Sequence, residues 1–174
     1  MGFMTKMLVR GAKKKTVGAV KDWTTTKFTN MAVHSITNIL GISDTRVGKI
    51  LQAGIPGMIF AGAEDPSITE RLFGSMMDGD EKKKKRGRKD ASNHFFDIFG
   101  DVGRVMVKSI SKDTEESEEN VSGVLGLFLS PFETVLGEEE PEDAGMLNRI
   151  FKNEAEEIEK ESPGLAKRAL NMIF

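Results

Sequence analysis

Apolar residues recur along the chain at helical intervals of three and four, and no stretch alternates with period two long enough to demand a strand. The pattern predicts an all-α fold. Residues 16–39 set Val20, Trp23, Phe28, Met31, Ser35 and Ile39 near one helical stripe, with threonines at 24–26 weakening its middle. Gly41 is placed to close that helix as its C′ residue, and Ser43 or Asp44 to cap the next. Val47, Ile50, Leu51, Ile55, Met58 and Ile59 then give a wide apolar face, with a kink or short break expected at Pro56. Asp65-Pro66 reads as N-cap and first residue of a helix running to about Met77, with Ile68, Leu72, Phe73 and Met76 on one side. "SNHFFDIFGDVGRVMVKSISK" reads as a further helix or a short pair, and the acidic "DTEESEE" suits the positive end of the helix that follows. Met146, Leu147, Ile150, Phe151, Ala155 and Ile158 align on another helix. Ser162-Pro163 reads as a Ser cap launching the last one.

Part of this pattern occurs twice. At a constant offset of 75, Gly48, Pro56, Gly62, Glu64, Asp65 and Pro66 fall on Gly123, Pro131, Gly137, Glu139, Glu140 and Pro141. Upstream, Val33, Ser35 and Ile36 match Val107, Ser109 and Ile110 at an offset of 74. The expectation is two pseudo-repeated helical units, about 28–77 and 92–141, sharing one core and joined by a connector, 78–91. In each, the first Gly is expected to admit a close neighbour, the Pro to bend the helix, and the acidic pair with its Pro to stop one helix and seed the next.

The same segments resemble the YidB-like family of bacterial helical domains of unknown function. Leu40, Gly41, Ile42 and Ser43 are similar to its "Leu-Gly-Leu-Ser" helix start, Ile98-Phe99-Gly100-Asp101 matches its turn, and Pro56 and Pro131 match its two helix prolines. The likeness covers about residues 28–140. The basic middle and the "DTEESEEN" start of the second apolar helix depart from it. The resemblance implies an all-α bacterial fold and brings no catalytic residues.

Composition narrows the function. The chain has 174 residues and no cysteine, which removes disulfides and thiolate chemistry. No apolar run reaches the roughly 18 residues of a membrane span. "MGFMTKMLVRGAKKK" lacks the apolar core of a signal peptide, and Lys6 stands where a myristoylation motif needs Ser or Thr, so a cytoplasmic location is expected. The net charge of −2 conceals a polarity. Residues 1–112 carry 20 Lys/Arg against 11 Asp/Glu, and residues 113–174 carry 5 against 16. That division suits either compensation between neighbouring helices or head-to-tail attraction between copies. Residues 1–15 form a basic amphipathic arm, 16–141 the helical domain and 142–174 amphipathic C-terminal helices, so both ends are expected to dock on the core or on a second chain.

Candidate chemistry is sparse. Nucleophile elbow, phosphate-loop and His-based metal motifs are all missing, so no cofactor or metal is expected and an enzyme is the weakest class. His34 reads as a core-edge residue, and His94 as one that caps or packs locally. The candidate partner-binding residues are Lys82, Lys83, Lys84, Lys85, Arg86, Arg88 and Lys89 in the connector, with Leu170, Ile173 and Phe174 at the C-terminus. They point to a non-enzymatic interaction module whose partner is a second copy or another assembly protein. The alternative is sequence-independent nucleic-acid binding through the basic run, in which no aromatic residue offers a stacking platform.

Overall fold

A computed structural model describes residues 27–78 and 88–174, and over that range the chain is all-helical, with no strand. Seven helices follow one another: α1 (Lys27–Leu40), α2 (Asp44–Glu64), α3 (Pro66–Met77), α4 (Arg88–Thr114), α5 (Glu118–Gly137), α6 (Ala144–Glu161) and α7 (Pro163–Ile173).

The boundaries have local causes. Gly41 adopts φ 71° and donates its N–H to Thr37 O, ending α1 in the left-handed conformation that glycine takes without strain. Ser43 caps α2 by accepting from the Arg46 N–H, Ser117 caps α5 through Asn120, and Asp143 caps α6 through Met146. Asp65 alone separates α2 from α3. It donates its N–H to Ala61 O, and its carboxylate accepts from both Ser67 N and Ser67 Oγ. α4 is broken at Gly100 (φ 57°, ψ −137°), so the segment is a pair of helical halves. The break frees the Ile98 carbonyl, which accepts from Arg71 Nε at 2.7 Å.

α2 is the axis of the molecule. Residues 53–63 are buried without interruption, and α2 touches each of the other six helices. A helix apolar all round can only be an interior one. α5, the second mostly buried helix, lies against α4 so closely that a Cβ at Gly126 would sit 2.0 Å from Ala91 O. At the α2–α5 crossing Gly54 faces Leu125, with room for no further carbon. Phe128, Phe132 and Phe151 carry the core from α5 into α6 with ring centroids 6.0 Å apart. α7 closes it with Ala166, Ala169 and Met172.

Several sequence expectations need correction. The inward face of α1 is Ala32, Val33 and Ile36. Ser35 is exposed and Ile39 is 52% exposed, because the helix is rotated to meet α2 and α5 with its β-branched residues. The residues proposed to break that helix, 24–26, lie outside the described range. α2 runs through Pro56 without the short break expected as one alternative, and α5 likewise continues through Pro131. Gly48 admits no neighbour, since nothing lies within 4 Å of a Cβ built there. Glu140-Pro141 does not seed a helix as Asp65-Pro66 does. The chain turns instead, with Glu140 at φ 49°, and α6 starts only after Asp143. Ser162 precedes α7, but its hydroxyl makes no capping hydrogen bond.

Candidate functional site

Three helices bring polar side chains together at one end of the core. Ser75 comes from the last turn of α3, His94 from the first half of α4 and Glu133 from the last part of α5. Ser75 Oγ donates to Glu133 Oε1 at 2.9 Å, and His94 Nε2 lies 3.2 Å from Ser75 Oγ and 3.4 Å from Glu133 Oε1. Glu133 is only 4% exposed, a position a carboxylate tolerates when it is hydrogen-bonded.

The order of these bonds decides what the cluster can do. A serine nucleophile needs its proton directed at an imidazole nitrogen whose other side is held by the acid. Here Ser75 Oγ donates to Glu133 Oε1, and His94 Nε2 lies beside both oxygens. The acid thus holds the serine hydroxyl directly, and Glu133 approaches the same ring nitrogen as the serine, where a triad needs it on the other side of the imidazole. The cluster therefore acts as a polar staple holding α3, α4 and α5 together.

Glu133 also faces a hollow of about 230 Å³ between the ends of α3 and α5. Met76 and Met77 form one wall, Gly137 and Pro141 another, and Glu140 stands at the same opening. The sequence reading missed Glu133, although a signal exists: it is the only charged residue in Val121–Gly137. Glu154, 1% exposed on the inner side of α6, was missed in the same way because it reads as one more acid in an acidic helix.

The residues proposed from the sequence are not gathered at this site. Lys82, Lys83, Lys84, Lys85 and Arg86 lie outside the described residues. Arg88 opens α4, and Lys89 is exposed in its first turn. Leu170 and Ile173 pack half-buried against the core, while Phe174 is 81% exposed. His34 is exposed on α1, not at the core edge, and His94 reaches Ser75 on α3 and Glu133 on α5 rather than capping or packing within its own segment. Among the described residues no group of three or more His, Asp or Glu is placed to hold a metal ion, and no helix is long and apolar enough to cross a membrane.

No family model, curated protein or solved structure matches the chain. The surface thus speaks through its charges alone. Arg46 and Glu116 form a bidentate pair that ties the first turn of α2 to the α4–α5 link. The Arg46 hydrogen bond holds the Glu116 carboxyl below the usual carboxylate range, and the same bond raises Arg46. Arg168 and Asp113 approach to 3.8 Å across a solvated gap. The acidic side is different. Glu138, Glu140, Glu142 and Asp143 after α5, and Glu156, Glu159 and Glu161 on α6, are all exposed, and none is in an ion pair with another described residue.

Proposed function

We propose that this chain is a non-enzymatic helical interaction module that self-associates, its acidic α5–α6 side receiving the basic stretch of another copy. The observation that carries this reading is the set of exposed carboxylates Glu138, Glu140, Glu142, Asp143, Glu156, Glu159 and Glu161, none in an ion pair with another described residue. Residues 138–161 hold ten acidic residues against three basic, while seven basic residues fall within 82–89. Opposite charge on two separate segments of one chain suits a head-to-tail arrangement, which closes into a ring or extends into a filament. The half-exposed end of α7, with Phe174 projecting, adds an apolar contact to the same kind of interface.

The reading includes a duplicated architecture. α1–α2 and the second half of α4 with α5 are two versions of one helical hairpin. In support, Gly41 and Glu115 both have left-handed φ, 71° and 59°, and each is followed after one residue by a serine N-cap, Ser43 and Ser117. The offset across this link is 74 throughout. The likeness to the YidB-like family, and with it a bacterial cytoplasmic setting, belongs to this proposal. It draws support from Gly41 and Gly100, whose positive φ values fall in the two motifs that carry the likeness.

Light scattering on the eluting chain tests the reading. At low salt the mass is expected to exceed the 19.2 kDa of one chain and to fall toward it as salt rises. A single-chain mass at every concentration and salt rejects it, and salt-sensitive DNA binding by such a monomer would favour the nucleic-acid alternative.

A further inference from the structure

We propose that the hollow between the C-terminal ends of α3 and α5 is a binding site for a lysine side chain, that is, for a primary ammonium group on an apolar stem. Met76 and Met77 are the last two residues of α3, and Gly137 is the last of α5. Two helix C-termini therefore converge on one cavity, and each carries the negative end of its macrodipole. Glu133, held by Ser75 and His94 and almost wholly buried, puts an acidic side chain behind the lining, and Glu140 adds an exposed carboxylate at the opening. No basic residue is among the described residues that line the cavity. The acidic side chains and helix ends among them share one sign, and it favours a cation.

The walls decide which cation. The thioethers of Met76 and Met77 and the ring of Pro141 offer apolar surface to a stem, and Met adapts its shape to what it contacts. A hard divalent ion wants about six to eight oxygen ligands, and the Glu133 and Glu140 carboxylates with the Ser130 and Thr134 hydroxyls are fewer than that, while the thioethers of Met76 and Met77 supply none. At about 230 Å³ the cavity lies below the roughly 300 Å³ at which drug-sized sites begin, and it suits one side chain. Lysine matches this: an alkyl stem that packs on apolar surface and a compact charge at its tip. We assign the lysine to residues 82–89 of a second copy. That assignment, unlike the site itself, rests on the self-association reading above.

The test uses the full chain with 13C-methyl-labelled methionine, the signals of Met76 and Met77 being identified through Met76→Leu and Met77→Leu. Acetyl-lysine methylamide is expected to move both signals saturably, and acetyl-norleucine methylamide, which has the stem without the charge, is expected to leave them in place. Glu133→Gln should weaken the lysine probe several-fold by removing the acidic group behind the cavity. Glu140→Gln, exposed and outside the His94 cluster, should weaken it without affecting folding. No saturable movement with the lysine probe, or equal movement with norleucine, overturns the site. A peptide of residues 82–89 binding more tightly than 1,5-diaminopentane supports a chain-borne lysine, and the reverse order overturns that source. A chain that binds the lysine probe yet stays monomeric removes the self-association reading and leaves the site standing.

Discussion

A methyl group has nowhere to go at Gly126. The atoms it would meet are the backbone carbonyl of Ala91, at 2.0 and 2.3 Å, so no side-chain rotation relieves the clash and α4 must separate from α5. Gly126→Ala should lower unfolding stability by about 3 kcal/mol, at the upper end for overpacking a core. Gly48→Ala should act in the opposite direction. It also lies inside a helix, but with open space beside it, so losing glycine's backbone freedom should stabilise by about 0.5–1 kcal/mol. Urea unfolding of both variants checks the pair. Equal effects would mean that the helices are not held at backbone contact. The two glycines also show what the sequence could not convey. Gly48 stood out because it recurs at a fixed offset, whereas Gly126 sits unremarked in an apolar run. Contact distance is a property of the packed pair of helices, and a one-dimensional pattern does not contain it.

At the scale of elements, most helices were legible because their stop and start signals are local chemistry. Gly41, Ser43 and Asp65-Pro66 each act within one turn, so the sequence carries their meaning without the fold. The facing of α1 was not legible in this way. Both its stripes look apolar, and the choice between them is made by α2 and α5, which bury Val33 and Ile36 and leave Ile39 outside. Glu140-Pro141 misled for a related reason: it copies the letters of Asp65-Pro66, but the chain there makes a turn stabilised by Glu140 N donating to Gly137 O. The link between α4 and α5 is held differently again, by Arg46 reaching from α2 to Glu116. The Glu116 pKa is lowered in the folded state, so the pair's contribution is complete above the ordinary carboxylate range and is lost as pH falls through the lowered value. Unfolding measured across acidic pH should therefore show Glu116→Gln less stable than the native chain near neutrality and converging with it in acid. A constant gap at all pH values would mean that the carboxylate charge is not what holds this link.

At the scale of the whole molecule, the acids after α5 and most of those along α6 face outward, away from the core that α2 runs through, while Glu154 faces inward. The site at the ends of α3 and α5 was the least legible feature. It is assembled from residues 58 positions apart, Ser75 and Glu133, joined by a histidine whose neighbours in sequence say nothing of either. Its cavity opens beside the acidic turn, which links the local site to the surface proposed for assembly. The central claim is that basic and acidic surfaces of different copies meet, and mixing two charge variants tests it most directly. One carries Lys82→Gln, Lys83→Gln, Lys84→Gln and Lys85→Gln, and the other carries Glu138→Gln, Glu140→Gln and Glu142→Gln. Each keeps one half of the interface, so each alone should scatter as a single chain at low salt, and the mixture should give a one-to-one pair with the mass of two chains. Variants that self-associate as well alone as mixed, or a mixture that remains entirely single chains, would contradict the account.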